Sequence, residues 1–159
     1  MFTVDKIIPV NSGEKQVLSR SHIWRGLVMK GENALPFVPV MEACDVIECG
    51  TENGTDWLIR EIRIGGNAMR ERVTFHPEHT VEFERLDGIE RGTILNEILD
   101  EAGDLALRFT FTLSREDMED GSAAEKAYAD SMEETYLKAV RSTIDTIRRL
   151  LAEGQLAAE

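Results

Sequence analysis

Residues able to move protons or anchor a polar group concentrate in two neighbouring words, Trp57-Leu58-Ile59-Arg60-Glu61-Ile62-Arg63-Ile64 and Ala68-Met69-Arg70-Glu71-Arg72-Val73-Thr74-Phe75. Gly65-Gly66-Asn67 between them reads as a hairpin turn, so the words pair as antiparallel strands. Placing Ile64 opposite Ala68 sets Glu61 against Glu71, Ile59 against Val73 and Trp57 against Phe75. Side chains alternate across a strand, so these residues share one face with Arg63 and Met69, while Arg60, Ile62, Arg70 and Arg72 take the other. The first face is the more apolar and is assigned inward, which predicts that the arginine face meets solvent. Two carboxylates facing each other across a strand pair repel unless something compensates. In such a pair one carboxyl holds a proton, as a general acid or base requires. If the next hairpin turns through residues 76–80, Arg85 falls opposite Glu71, with Val81 and Phe83 also inward. The cluster Glu61/Arg63/Glu71/Arg85 then reads in three ways: a structural ion-pair network, a polar anchor for a bound molecule, or a catalytic site with Glu61 and Glu71 as acid and base. A register one residue different would turn part of it outward.

Other chemistries find little support. His76-Pro77-Glu78-His79 lies on a turn without a third nearby ligand and lacks zinc-protease spacing. His22 falls in the first turn of a helix and reads as a surface residue. Glu52-Asn53-Gly54 is a hairpin rather than a calcium loop, and Gly65-Gly66 is a turn rather than a phosphate cradle. No serine sits in a nucleophile-elbow pattern. No metal and no cofactor are expected. Cys44 and Cys49 are five residues apart; on one strand they point to opposite faces and cannot bridge. Neither has a basic neighbour in sequence that would activate it.

Charge narrows the partners. The chain of 159 residues carries 30 Asp and Glu against 18 Lys and Arg, a net charge of −12, which repels phosphate backbones and anionic membranes. Nucleic-acid binding and membrane insertion are therefore not expected. Residues 1–6 show no signal-peptide pattern, and two free thiols suit a reducing cytoplasm.

The elements that must position the cluster follow from periodicity. Residues 2–10 read as a strand, and Ser19 caps a helix carrying Ile23, Trp24, Leu27 and Val28 on one face, ended by Gly31 and Asn33. Leu35-Pro36-Phe37-Val38-Pro39 permits a short second helix or an irregular turn. Strand-like segments at 43–50, 56–64, 68–75, 79–86, 91–100 and 104–114 form a meander. In the last, Leu105, Leu107, Phe109, Phe111 and Leu113 alternate with more polar residues. A long helix at about 122–153 begins at Ser122, with Glu125 at the capping-box position, and carries Tyr128, Met132, Tyr136, Val140, Ile144 and Ile147 on one face. That stripe covers the concave side of the sheet or, alternatively, forms a homodimer seam. The prediction is an α+β chain forming one domain over residues 1–159.

Five words carry a family resemblance: Leu18-Ser19-Arg20-Ser21-His22-Ile23-Trp24-Arg25-Gly26-Leu27, Pro36-Phe37-Val38-Pro39, Leu58-Ile59-Arg60-Glu61-Ile62, Glu71-Arg72-Val73-Thr74-Phe75 and Thr143-Ile144-Asp145-Thr146-Ile147-Arg148. Together they resemble the AtaL-like branch of the START-like (SRPBCC, polyketide-cyclase) superfamily, over essentially the whole chain. The resemblance implies the helix-grip fold: about seven antiparallel strands curved around a long C-terminal helix, with two short helices after strand 1. It also implies a small hydrophobic or aromatic molecule held between sheet and helix, or alternatively cyclase- or aromatase-like acid–base chemistry on a polyketide-like substrate. It brings no catalytic residue set. The cavity lining expected on this frame is Trp24, Trp57, Ile59, Arg63, Met69, Val73, Phe75, Phe83, Arg85, Phe109, Phe111, Tyr128, Met132 and Tyr136.

Overall fold

The computed structural model describes residues 1–156. Seven strands and two helices follow in the order β1 (Phe2–Pro9), α1 (Arg20–Glu32), β2 (Met41–Glu52), β3 (Thr55–Ile64), β4 (Asn67–His76), β5 (Thr80–Arg85), β6 (Glu90–Glu101), β7 (Asp104–Arg115) and α2 (Ala123–Ala152). The strands form one antiparallel sheet in the order β1-β7-β6-β5-β4-β3-β2. Tight hairpins link β2 through β7 in sequence, while the single long excursion, through α1, carries the chain from one edge of the sheet to the other.

Alternation decides which face of the sheet is inside. On β7, Leu107, Phe109, Phe111 and Leu113 are buried, and α2 lays Tyr136, Val140, Ile144 and Ile147 against the same core. Each such side chain contributes about 1.5–3 kcal/mol when removed from water. The apolar stripe of α2 is thus used within the chain rather than as a seam for a second copy. Side chains of α2 also tie it down: Ser142 donates to the Phe37 carbonyl at 2.9 Å, and the Arg148 guanidinium donates to the carbonyls of Val10 and Gln16.

Both helices start as their caps dictate. Ser122 Oγ accepts from Glu125 N–H at 3.1 Å, but the Glu125 carboxylate turns to the Gly121 N–H at 2.9 Å, so the expected capping box closes one residue early. At α1 the box is complete, with His22 Nδ1 accepting the Ser19 N–H at 3.0 Å and Ser19 Oγ accepting the His22 N–H at 3.1 Å. His22 is therefore a capping residue. The expected second short helix is absent. Pro36 and Pro39 have no N–H to donate, and the segment makes one turn in which Phe37 and Val38 both donate to the Ala34 carbonyl.

β6 passes β7 at Gly92, whose φ is +127°. A Cβ there would stand 2.1 Å from the Thr112 carbonyl oxygen, so β6 and β7 approach as only glycine allows. Gly92→Ala should lower the urea-unfolding free energy by about 2–4 kcal/mol. Gly103→Ala is the control: its φ is also positive, at +90°, but nothing lies within 4 Å, so the cost should be about 1 kcal/mol. Equal losses would place the strain in the backbone angle alone.

Candidate functional site

The hairpin between β3 and β4 sets the composition of the inner wall. Its turn is the two-residue Gly65-Gly66, both at positive φ (59° and 79°), which pairs Ile64 with Asn67 rather than with Ala68. That one-residue difference leaves β4 facing as predicted and turns β3 over. Arg60 now stands opposite Glu71, Ile62 opposite Met69 and Leu58 opposite Val73, and all six are buried. Glu61 and Arg63 are exposed on the outer face, where Glu61 pairs in register with Arg70. Trp57 is on that face too, under the Arg72 guanidinium at 4.7 Å, and Ile59 is opposite Arg72. The Glu61/Glu71 carboxylate pair therefore does not form; the two residues lie on opposite faces of the sheet.

What forms instead is a buried chain of ion pairs. Glu71 Oε1 accepts from Arg60 Nε at 3.1 Å and Nη2 at 2.9 Å. Its Oε2 lies 3.5 Å from Arg85 Nε, which stands opposite it on β5. Arg85 continues to Glu90, and Glu90 Oε2 accepts from the Tyr128 hydroxyl at 3.0 Å. The Arg60 Nη1 donates to the carbonyls of Lys30 and Gly31 at 2.8 and 2.9 Å. These belong to the last turn of α1, which no further helical turn can satisfy, and a cation there also suits the helix dipole.

Lys30 completes this end of the site. Its Nζ donates to Asn96 Oδ1 at 2.6 Å and sits over the rings of Phe109 and Phe83, 4.3 and 5.1 Å from their centroids. Burial first, and the Arg60 guanidinium second, lower its pKa to about 7. Tyr136 stacks on Phe111 at 3.9 Å, and among the described residues its hydroxyl has no hydrogen-bond partner. Burial, then the Glu90 carboxylate, raise its pKa and that of Tyr128, so both hydroxyls stay donors.

Between this network and α2 lies a cavity of about 320 Å³. Met69, Phe83, Arg85, Phe109 and Phe111 line it from the sheet, with Tyr128, Met132 and Tyr136 from α2. Glu71 also reaches it, clamped between the two arginines. Exposed Val40 and Ile89 mark where it meets solvent. Trp24, Val73 and Phe75 lie elsewhere, in or against the core, and Phe75 takes the space beside Gly31. The sequence pattern did not point to Lys30, Arg60, Ile62, Glu90 and Ile94, which also line the cavity. A second depression, on the outer side of α2 between Lys138, Arg141, Asp145 and Arg149, is shallow and polar. Among the described residues no three His, Cys, Asp or Glu side chains converge as metal ligands, and no helix is long and apolar enough to cross a membrane.

The model of the family described as acetylaranotin biosynthesis cluster protein L (AtaL) matches residues 7–154. No curated protein matches. Solved structures share the fold at low identity. TTHA0849 from Thermus thermophilus aligns at TM-score 0.61 and 14% identity, over 92% of this chain and 96% of that one. The Zhui aromatase/cyclase from Streptomyces sp. R1128 aligns at TM-score 0.63 and 14% identity, over 94% and 95%. The di-domain aromatase/cyclase StfQ from the steffimycin biosynthetic pathway aligns at TM-score 0.66 and 9% identity, over 95% of this chain and 51% of StfQ.

Lys30 gives the site a pH signature. An unfolded lysine titrates near 10.4, whereas the folded one titrates at about 7. Between these values the unfolded chain holds more protons, so raising the pH favours the folded state. From pH 7 to pH 9 the wild type should gain about 2 kcal/mol of unfolding free energy relative to Lys30→Met, measured by urea titration. Parallel pH dependences would show that the lysine stays charged when folded.

Proposed function

The chain belongs to the acetylaranotin biosynthesis cluster protein L family, and from that premise we propose that it holds a small, largely apolar or aromatic molecule between the curved sheet and α2. One observation carries this reading: a cavity of about 320 Å³ that is greasy along most of its wall and carries a few charged side chains. The size falls within the range of small-molecule sites, and the division of polarity is what orients a guest. Phe111, Met69 and Met132 offer flat or adaptable contact. Affinity comes from apolar burial at about 25 cal/mol per Å², less the cost of ordering the guest. The guest's polar group goes to the end where Lys30, Arg85 and the Tyr136 hydroxyl meet the cavity.

Acid–base chemistry on a polyketide-like substrate in the same cavity is the second reading. The names of the Zhui and StfQ proteins favour it, as do two titratable groups on the wall, Lys30 and Tyr136. Glu71 would serve here as a positioning group, since guanidiniums flank both of its oxygens. Under either reading the acidic surface keeps nucleic acid and anionic membranes away. The unbridged Cys44 and Cys49 suit a reducing, cytoplasmic setting.

The guest's volume is open to direct test. Ala139 lines the cavity from α2, so Ala139→Trp should fill it. The dye 1-anilinonaphthalene-8-sulfonate should bind the wild type one to one, and the substitution should weaken it at least about tenfold, or 1.4 kcal/mol. Undiminished dye binding to a folded Ala139→Trp protein would place the dye, and the proposed site, elsewhere.

A further inference from the structure

Lys30 is the only buried lysine among the five in the chain; Lys15, Lys126 and Lys138 are exposed and Lys6 is half-exposed. Among the described residues it makes no ion pair with a carboxylate. Of the charged side chains that line the cavity with it, Arg60 on β3 and Arg85 on β5 are already matched by Glu71 on β4 and Glu90 on β6. Arg115 on β7 is matched by Asp117. Protonating Lys30 adds one uncompensated charge to a buried, balanced set, which an apolar environment opposes. Burial first and Arg60 second bring its pKa to about 7, against the opposing pull of the Glu71 carboxylate.

The amine reaches the cavity wall with a single hydrogen-bond partner among the described residues. The backbone carbonyl of Lys30 is fixed by Arg60, and its side chain runs to the cavity across Phe83 and Phe109. Asn96 Oδ1 accepts one N–H, and among the described residues no other acceptor takes the rest. Phe109 lies two residues from Phe111 on β7, on the same face, and Tyr136 stacks on Phe111. The Tyr136 ring therefore belongs to the same wall, with its hydroxyl buried and, among the described residues, without a hydrogen-bond partner.

We infer that Lys30 is an amine nucleophile that captures an aldehyde or ketone group of the cavity's guest as an imine, an inference that rests on the cavity's being a guest site. The nitrogen lone pair attacks the carbonyl carbon, a C–N bond forms, and the C=O electron pair moves to oxygen, which takes up a proton. The carbinolamine then loses water: both amine hydrogens and the carbonyl oxygen leave as H₂O and the C=N bond remains. No oxidant, metal or cofactor is consumed. Near pH 7 about half of such amines are neutral, against roughly one in 2,500 for a lysine at the ordinary pKa of about 10.4.

The test uses the full chain at pH 7 with 2-naphthaldehyde and sodium cyanoborohydride, which reduces an imine to a stable secondary amine, followed by peptide mapping. Binding of naphthalene-2-methanol, which has the ring system but no carbonyl, is measured in parallel by thermal shift. The expected result is a naphthylmethyl group on Lys30 in at least tenfold excess over any of the other four lysines. It should be suppressed by excess naphthalene-2-methanol and lost in a folded Lys30→Met variant. If the alcohol binds and Lys30 is not labelled preferentially, the imine is overturned while the cavity reading stands. The imine is equally overturned if 2-naphthoate binds at least tenfold tighter than the alcohol and the aldehyde is not trapped, since Lys30 would then be a charged anchor for carboxylates. If neither alcohol nor aldehyde engages the cavity, both readings fall together.

Discussion

The Arg60 guanidinium is the contact on which the interior depends. It closes the last turn of α1 through the Lys30 and Gly31 carbonyls and meets Glu71 on the next strand with its other two nitrogens. Both partners are about 3% exposed, so neither can fall back on water if the other is lost. A buried pair of this kind adds little net stability over an apolar pair of the same shape, but it fixes geometry. Here it fixes how the end of α1 sits over β3 and β4, and therefore where Lys30 enters the cavity. The pair then extends through Arg85 and Glu90 to the Tyr128 hydroxyl, joining the sheet to α2.

That arrangement ties Arg60, Glu71, Arg85 and Glu90 of the cavity wall into one network. Toward the core, Phe111, Leu113, Tyr136, Val140 and Ile147 pack together, and Gly26 lets α1 lie against Ile147 of α2 where any Cβ would collide. The ion-pair chain puts charged groups on an otherwise largely apolar wall. Inward of Val40 and Ile89 the wall carries aromatic and thioether groups and the side chain of Lys30.

Much of this is legible in the residues. The alternation on β7 and the helical stripe from Tyr128 to Ile147 each follow a single clean period, so the sheet and the helix that covers it can be read directly, while the helix-grip architecture comes with the family resemblance. The face of β4, and Arg85 opposite Glu71, follow from the next hairpin, whose turn falls where the sequence puts it. The face of β3 does not, because Gly65-Gly66 closes a two-residue loop rather than a three-residue one, and one residue exchanges the two faces of a strand. Counting apolar residues favours Trp57 and Ile59 over Arg60. The count misleads here because a buried arginine with a full set of acceptors is as much an interior residue as an isoleucine. Lys30 is invisible for a related reason: Met29-Lys30-Gly31-Glu32 looks like a solvated helix end until β3, β6 and β7 are brought against it.

The central claim is that the cavity, and no outer surface, is where a hydrophobic molecule lodges. Intermolecular NOEs from the ring protons of naphthalene-2-methanol to the methyl groups of the protein test it most directly. Contacts should appear to Ile62, Met69, Ile94, Met132 and Ala139, which line the cavity. Contacts instead to Val46 and Ile47, exposed on the edge strand β2, would contradict it.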